Sequence, residues 1–268
     1  MTRRERALLV QVLLYAVLAA AVVVLALVAD WAVIKENFWS SDGIGWADGN
    51  WGDLITTGMV NTIKYTAIAF AGGLALGLVL ALMRLSPVAP YRWMATAYIE
   101  FFRGLPALVV MMFMGFGLPI AFQWTPPGGT VGAGLIGLIL VAGAYMAETL
   151  RAGIQAVPKG QTEAARSLGM RPGATTVKVV LPQAFRIVIP PLTNEFVLLI
   201  KDTALLFLLG AAASERELTS VARDFLTSGP SAGTATSLIQ AALLYLIITL
   251  PLTQLVAWLE RRQRKAVR

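Results

Sequence analysis

Residues 155–182 read QAVPKGQTEAARSLGMRPGATTVKVVLP, a charged segment between two apolar runs that are each long enough to span a bilayer. Within it, residues 162–168 favour a short helix, because Thr162 is a residue type preferred at helix N-caps and Gly169 is a residue type that ends helices. Two flanking spans would hold such a helix at the membrane surface. The segment is therefore suited to be pushed by another protein, although a merely solvated loop is the alternative.

Composition predicts that most of the chain lies in a membrane. Of its 268 residues, 57% are hydrophobic and 14% are charged, whereas about 25% of the residues of a soluble domain are charged. The net charge of +7 comes from basic residues beside the apolar runs, which is typical of positive-inside topology and not of nucleic-acid binding. The chain has no cysteine and no histidine, which excludes disulfides, thiolate chemistry and imidazole metal sites.

Six apolar runs predict an all-α polytopic membrane protein with six transmembrane helices. The predicted spans are residues 7–29, 59–83, 94–122, 131–152, 185–213 and 235–259. Gly72, Gly73 and Gly77 in the second run would let another helix approach closely, which favours a packed bundle. The first run is too long for the apolar core of a secretory signal, so we expect it to be retained.

Four clusters of lysine and arginine fall on one side of six spans, and we predict that this side is cytoplasmic and holds both termini. The clusters are Arg3, Arg4 and Arg6; Arg84 and Arg92; Arg151, Lys159, Arg166, Arg171 and Lys178; and Arg261, Arg262, Arg264, Lys265 and Arg268. The opposite loop, residues 30–57, is acidic and rich in tryptophan, as is typical of a membrane–water interface. We predict two units, residues 1–57 with the first span and this loop, and residues 58–268 as the transmembrane domain.

Charged residues within the apolar runs should pair or face water, because each costs roughly 2.5–3.5 kcal/mol at bilayer depth. Glu148 and Arg151 are three residues apart, and a local ion pair is favoured over contact with a substrate. Glu100 and Arg103 have the same spacing, and for them a packing pair and a place in a substrate pathway are equally supported. Asn61, near the outer end of the second run, is a further pathway candidate.

The fifth run carries two polar stripes, since Asn194 and Lys201 are seven residues apart, as are Glu195 and Asp202. The prolines at positions 190 and 191 each lack a backbone donor and predict a kink. An amino acid offers an ammonium group that needs a carboxylate and a carboxylate that needs lysine or arginine. This helix is therefore suited to line a passage for amino acids, and a structural network between subunits is the alternative.

The loop has a recognisable spacing, E-A-A-x3-G-x9-V-x-L-P, formed by Glu163, Ala164, Ala165, Gly169, Val179, Leu181 and Pro182. It resembles the EAA loop of binding-protein-dependent ABC transporter permeases, which usually have isoleucine where this chain has Val179. Residues 98–108, 144–170 and 181–205 also resemble the polar amino-acid permeases, the histidine/glutamine permease class, and the likeness covers roughly residues 59–262. Ala204 departs from the class, which commonly has serine there.

This resemblance implies a type I importer fold, a five-helix core preceded here by one additional N-terminal span. It implies the permease subunit of an ATP-driven importer of polar amino acids in a bacterial cell membrane, paired with a copy of itself or a sister permease. In that class the loop helix docks on a cytoplasmic ATPase present in two copies, and an extracytoplasmic binding protein delivers the amino acid near residues 215–217, where a solvated turn is the alternative. The docking residues carried over are Thr162, Glu163, Ala164, Ala165, Arg166, Gly169, Leu181 and Pro182.

The chain contains no GxxxxGK[ST] motif, so ATP and Mg²⁺ are expected in the partner ATPase. We expect this chain to bind no cofactor or metal and to catalyse no reaction. A secondary transporter or channel is the first rival class, and it would work alone without a docking helix. A membrane enzyme is the second, and the lack of histidine and cysteine disfavours it.

Overall fold

The computed structural model describes residues 3–28, 31, 38, 50–228 and 231–266, and in these residues there is no β-strand. The first five helices are α1 (Arg3–Val28), α2 (Val60–Leu85), α3 (Ala89–Gly104), α4 (Ala107–Phe122) and α5 (Gly129–Gln155). The others are α6 (Lys159–Ser167), α7 (Leu181–Asp202), α8 (Leu218–Thr227) and α9 (Thr236–Ala266). Short segments are α-helical at Asn50–Asp53 and Pro172–Thr175, π-helical at Leu54–Met59, Phe113–Gly117 and Thr176–Val180, and 3₁₀-helical at Thr203–Leu209 and Ala213–Glu215.

Three helical stretches among the described residues are long and apolar enough to cross a membrane: Asn50–Leu85, Gly129–Gln155 and Thr236–Gln263. Helices α3 and α4 together would make a fourth, but they meet at an angle of 102°. Leu105 and Pro106 are extended at this junction, because proline lacks a backbone N–H and disfavours helix at the residue before it. The helical class is thus confirmed for the described residues, whereas the count of six spans remains a prediction.

The fifth predicted span differs from the helix in the structure. Helix α7 starts at Leu181, continues through both prolines, and ends at Asp202, where a 3₁₀ helix takes over. At this end the Thr203 hydroxyl donates to the carbonyl of Ile200 at 2.7 Å, a local bond that competes with regular helix. Gly210, with a φ of +74°, ends the 3₁₀ helix, so residues 185–213 do not form one regular helix.

Helices α2 and α5 pack closely because α2 has glycines at the contact. A Cβ atom at Gly73 would lie 2.9 Å from Cβ of Ala142, and one at Gly77 would lie 2.9 Å from Cβ of Met146. Any side chain at either position would push the helices apart. The surrounding core also draws on α4 and α7, and its buried residues include Tyr65, Ala69, Met111, Leu138, Ala142, Met146, Leu199 and Leu206.

Helix α1 stands apart from this core. Its described side chains between residues 13 and 27 are exposed, with Tyr15 at 71% and Leu27 at 80%. The acidic, tryptophan-rich loop predicted to follow it lies mostly outside the described residues. The side chains of the first and last basic clusters also lie largely outside them, so the division into residues 1–57 and 58–268 stays a prediction.

Candidate docking helix and membrane charges

Helix α6 begins three residues earlier than the sequence predicts. It starts at Lys159, Pro158 occupies the N-cap position, and no side chain caps it. The predicted capping role of Thr162 is therefore wrong. Proline before the first turn explains the earlier start, because it is tolerated where backbone N–H groups have no helical partner.

The end of α6 agrees with the sequence. Gly169 has a φ of +82°, which glycine adopts at little cost. Its N–H donates to the carbonyl of Arg166 at 2.9 Å, and the N–H of Met170 donates to the carbonyl of Ala165 at 3.2 Å. These are the two bonds of a Schellman motif, so the helix has a defined stop at the predicted glycine.

The two faces of α6 differ in exposure. Ala165 is buried on the side of the short helical turns at residues 172–180, whereas Glu163, Ala164 and Arg166 are exposed. Of the two alanines in the EAA spacing, only Ala164 lies on the exposed surface. Leu168 is 85% exposed at the end of the helix, a large apolar side chain that the sequence did not single out.

Side-chain hydrogen bonds connect α6 to the start of α7. Gln183 Nε2 donates to Oε1 of Gln161 at 3.4 Å and to the carbonyl of Val179 at 3.0 Å. Val157, between α5 and α6, is buried. Leu181 is half-buried and Pro182 is exposed in the first turn of α7. Helix α6 thus follows α5 in the chain and is hydrogen-bonded to the first turn of α7.

Glu148 lies between two arginines near the end of α5. Arg84 Nη1 donates to Oε2 of Glu148 at 2.8 Å, Arg151 Nε donates to the same oxygen at 3.1 Å, and Arg151 Nη2 pairs with Oε1. The predicted pair of Glu148 and Arg151 is confirmed. Arg84, in the last turn of α2, is a partner that the sequence did not reveal, and it links α2 to α5.

The polar side chains of α7 have no such partners. Asn194 and Lys201 are exposed, and Glu195 and Asp202 are half-buried. None of the four makes a side-chain hydrogen bond or an ion pair anywhere in the part of the chain that the structure describes. The two stripes predicted from their spacing therefore have different burial.

Arg103 lies in the last turn of α3, beside the sharp junction with α4. The central guanidinium carbon is 5.4 Å from the centre of the Tyr145 ring, an arrangement that favours a cation over an aromatic face. Glu100 is exposed, and no ion pair joins it to Arg103 among the described residues. The packing pair that the spacing allowed is therefore not formed.

Asn61 and Tyr65 of α2 hold the segment that precedes α8. Both amide hydrogens of Asn61 are donated to backbone carbonyls, those of Ser214 at 2.9 Å and Arg216 at 3.0 Å. The Tyr65 hydroxyl donates to the carbonyl of Glu215 at 2.8 Å. Asn61 is buried, and these bonds position residues 213–217 against the end of α2.

Glu217 begins α8, a helix that the sequence analysis missed. Its carboxylate accepts hydrogen bonds from the backbone N–H groups of Thr219 and Ser220, from the Ser220 hydroxyl and from the Tyr245 hydroxyl. The side chain is 1% exposed, and this burial raises the pKa of Glu217 while the hydrogen bonds act to lower it. The alternative interpretation of residues 215–217 as a solvated turn is therefore wrong for Glu217, because its side chain is buried.

A signal for α8 is present in the sequence. Leu218, Val221, Ala222 and Phe225 follow Glu217 at the spacing of an amphipathic helix. The first three are buried against residues of the segment before α2 and of α9, including Trp51, Leu54, Ala241 and Leu244. The pattern is short, and it was overlooked because the flanking apolar runs dominate the hydropathy of this region.

Long apolar helices, charges within them and an exposed surface helix between two long helices together define a polytopic membrane protein. The sequence profile described as binding-protein-dependent transport system inner membrane component matches residues 73–265. The chain belongs to this family, as the spacing of the loop predicts.

The names of similar proteins agree with membership of this family. The chain is 38% identical over 215 residues to the probable glutamine ABC transporter permease protein GlnM of Bacillus subtilis, covering 78% of this chain and 93% of that protein. It is 39% identical over 175 residues to the L-cystine transport system permease protein TcyB of the same organism, covering 65% and 68%. A crystal structure of an amino acid ABC transporter with histidines matches with a TM-score of 0.69 and 38% identity, covering 78% of this chain and 93% of that one.

Proposed function

We propose that this chain is the membrane-spanning permease subunit of an ATP-driven, binding-protein-dependent importer of polar amino acids. It forms the passage through the membrane and couples that passage to a separate cytoplasmic ATPase. No chemical reaction is assigned to this chain, and ATP with Mg²⁺ belongs to the ATPase. The likeness to GlnM, TcyB and the amino acid transporter structure supports amino acids as the substrate class.

The observation that carries the proposal is the geometry of α6. This helix is exposed, stops at Gly169, follows α5 in the chain, and packs against the short turns at residues 172–180 that lead into α7. Closure of two ATPase copies around ATP would displace α6, and α5 and α7 would carry the movement into the membrane. The docking residues in this proposal are Thr162, Glu163, Ala164, Ala165, Arg166, Gly169, Leu181 and Pro182.

The proposal includes a second permease chain, either a copy of this one or a sister subunit. One small bundle encloses little passage, and the half-buried and exposed charges of α7 lie open in the single chain. An extracytoplasmic binding protein would deliver the amino acid near residues 215–217. With six spans in a bacterial cell membrane, both termini and α6 lie on the cytoplasmic side.

The substrate pathway in this proposal is lined by polar residues of α3 and α7 that make no ion pair among the described residues, and Asn61, whose amide is bonded to two backbone carbonyls, lies near its outer end. Charges are tolerated there only where they meet water, one another or a ligand. The pathway residues are Asn194, Glu195, Lys201, Asp202, Glu100, Arg103 and Asn61.

Site-directed cross-linking tests the docking helix. Because the chain has no cysteine, Leu168→Cys or Glu163→Cys introduces a unique thiol on α6. In membranes of the source cell, a cysteine-to-amine reagent should join each to a protein that contains a P-loop, identified by mass spectrometry. Phe122→Cys is the matched control, because Phe122 is 73% exposed but lies at the opposite end of the bundle in the six-span topology.

Reconstitution tests the transport function itself. Proteoliposomes containing this chain, its ATPase and the binding protein should take up a polar amino acid only when ATP is present. ATP hydrolysis should rise when the binding protein carries that amino acid. Uptake by this chain alone would overturn the proposal in favour of a secondary transporter, and α6 thiols that never capture a P-loop protein would overturn the docking role.

A further inference from the structure

A basic hollow lies between α7 and α9, at the end of the bundle that carries α6. Its volume is about 510 Å³, and its lining residues are Arg186, Ile189, Leu259, Arg262 and Gln263. Helix α7 begins at Leu181, shortly before Arg186, and its first turn is hydrogen-bonded to α6. The basic hollow therefore lies at the same level as the docking helix, but it contains none of the residues assigned to docking or to the substrate pathway.

The two arginines of the basic hollow have no carboxylate partner. Arg186 and Arg262 are exposed, and neither side chain makes an ion pair or donates a hydrogen bond among the described residues. The central guanidinium carbon of Arg262 is 5.3 Å from the centre of the Trp258 ring, a contact that orients the cation. Glu260, the acidic residue on the same turn of α9, does not line the hollow. Two positive charges in one hollow favour an anion, and guanidinium groups suit a phosphate because they bind it through two parallel hydrogen bonds.

A second, apolar hollow adjoins the basic one and shares Ile189 with it. Its volume is about 310 Å³, and its other lining residues are Phe70, Leu192, Thr193 and Phe196. The Thr193 hydroxyl donates to the carbonyl of Ile189 at 2.8 Å, so its hydrogen is already used within the helix. The apolar hollow thus offers a surface for hydrocarbon directly beside the two arginines.

Together the two hollows match one leaflet of a bilayer in length and polarity. Arg186 and Phe196 are ten residues apart, which is about 15 Å along a helix and about half of a hydrocarbon core of roughly 30 Å. Ile189 and Thr193 lie between them at the spacing of one helix face. Trp258, beside the basic hollow, is 49% exposed, and tryptophan is enriched at the membrane–water interface. The surface is therefore basic at the level of lipid headgroups and apolar at the level of acyl chains.

We propose that these adjoining hollows bind one anionic phospholipid. Arg186 and Arg262 hold its phosphate group, and one acyl chain lies along Ile189 and Phe196, so the lipid bridges α7 and α9. In the proposed topology the lipid comes from the cytoplasmic leaflet, which carries anionic lipids that basic residues attract. A second copy of this chain suits the site less well, because a symmetric contact places the same basic surface on both sides. The inference does not depend on which substrate is transported.

The headgroup sets the selectivity of this site. An acyl chain that leaves the bilayer for the apolar hollow exchanges one apolar environment for another, whereas the phosphate gains two arginine partners. Lipids with identical chains and different headgroups therefore test the proposal most directly.

Native mass spectrometry of the full-length protein, purified in detergent with the chains that accompany it, counts bound lipids. The probes are dioleoylphosphatidylglycerol and dioleoylphosphatidylcholine, and the competitors are inorganic phosphate and glycerophosphoglycerol, the first headgroup without acyl chains. The variants are Arg186→Gln, Arg262→Gln and the two combined. Arg186→Gln keeps the bond from Gln263, because that bond goes to the backbone carbonyl. Arg261→Gln is the matched control, since Arg261 is exposed on α9 but does not line the basic hollow.

The wild-type protein should bind phosphatidylglycerol at least about 10-fold more tightly than phosphatidylcholine, because the choline cation opposes the arginines. Each single variant should weaken phosphatidylglycerol binding by about 5-fold, the effect of one basic residue at an anionic surface. The double variant should lose the preference for phosphatidylglycerol, whereas Arg261→Gln should change it by less than about 2-fold. Neither competitor should displace the lipid at equal concentration, because neither has a chain to fill the apolar hollow.

Four results would each overturn the proposal. Equal affinity of the wild-type protein for both lipids would show that the headgroup is not recognised. An equal loss in Arg261→Gln would show a diffuse attraction to the whole basic end of α9. Displacement by inorganic phosphate would show a site for soluble anions, and dissociation of permease copies in the double variant would show an interface between them. The comparison of lipids on the wild-type protein needs no variant, so it remains decisive if a variant does not fold.

Discussion

The side-chain amide of Gln263, on α9, donates a hydrogen bond to the backbone carbonyl of Arg186, on α7. In a regular helix this carbonyl would accept from the residue four positions later, but that residue is Pro190, which has no N–H. Gln263, on the last helix of the chain, thus supplies the donor that Pro190 lacks. This bond explains in part how α7 continues through its prolines, and it fixes α9 against α7.

Gln263→Leu should destabilise the protein, because it leaves the carbonyl of Arg186 without a partner. We expect a loss of about 0.5–1.5 kcal/mol, the net contribution of an ordinary hydrogen bond, because the site is partly exposed and water can replace part of the bond. Thermal unfolding in detergent measures the effect. Gln254→Leu, an exposed position on the same helix, should change stability by less than about 0.5 kcal/mol; equal effects would argue against the bond.

Glu148→Gln should be more damaging than Arg84→Gln. The first change leaves two arginines without their shared carboxylate, whereas the second leaves Glu148 paired with Arg151. Since these side chains are about one quarter exposed (24% and 25%), we expect about 1–3 kcal/mol for Glu148→Gln, below the cost of breaking a fully buried pair. Denaturation of the purified permease should rank the two variants. The opposite order would exclude the shared pairing.

Gly77→Ala should separate α2 from α5. The new methyl group would lie 2.9 Å from Cβ of Met146 and 3.0 Å from the backbone of Ala147, and overpacking of this kind costs about 1–3 kcal/mol. A lower unfolding temperature and weaker expression are the expected readouts. Gly173→Ala is the matched control, because its Cβ would meet nothing within 4 Å, and this variant should be neutral or more stable.

Changes on α6 should affect coupling without preventing membrane insertion. Gly169→Asp places a side chain at a backbone φ of +82°, and Glu163→Lys reverses an exposed charge. If α6 docks on the ATPase, both variants should insert normally but hydrolyse ATP without matching uptake. The ratio of uptake to hydrolysis in proteoliposomes measures this. Wild-type ratios in both variants would contradict the docking role, and Gly173→Asp in the neighbouring turn is the control.

Glu217 predicts a specific pH dependence of stability. Burial raises its pKa in the folded protein above the ordinary value of 4.5. The folded state therefore holds this proton more tightly than the unfolded state does. The resulting stabilisation is complete below pH 4.5 and is lost as the pH rises through the raised value. Glu217→Gln should remove this part of the pH dependence and should cost about 1 kcal/mol by weakening the cap of α8. If stability had the same pH dependence in the wild-type protein and in Glu217→Gln, this role of Glu217 would be contradicted.

Several features of the site could be predicted because they depend on neighbours within one or two helical turns. The stop of α6 at Gly169 and the pair of Glu148 with Arg151 follow from local spacing alone. The EAA spacing likewise indicated the family that the profile match confirms. Helix α8 belongs to the same category, since its apolar spacing is local, and missing it was an error of interpretation.

Other features could not be predicted, because their partners are far apart in the sequence. Arg84 is 64 residues from Glu148, and Gln263 is 77 residues from Arg186. Asn61 was expected near a passage, and the structure places its amide on two carbonyls more than 150 residues later. Each pairing requires knowledge of which helices touch and in which rotation, and periodicity along one helix does not contain that information.

The sequence by itself determined the helical class, the family and the end of the surface helix, because hydropathy, residue spacing and glycine conformation act over a few residues. Only the tertiary structure decided which charges are paired and which remain open. Helix packing brought Arg84 to Glu148, and left Arg103 and Glu195 without ion-pair partners among the described residues. The physical reason is that an ion pair across helices requires close approach of side chains, and glycine contacts such as those between α2 and α5 set that approach.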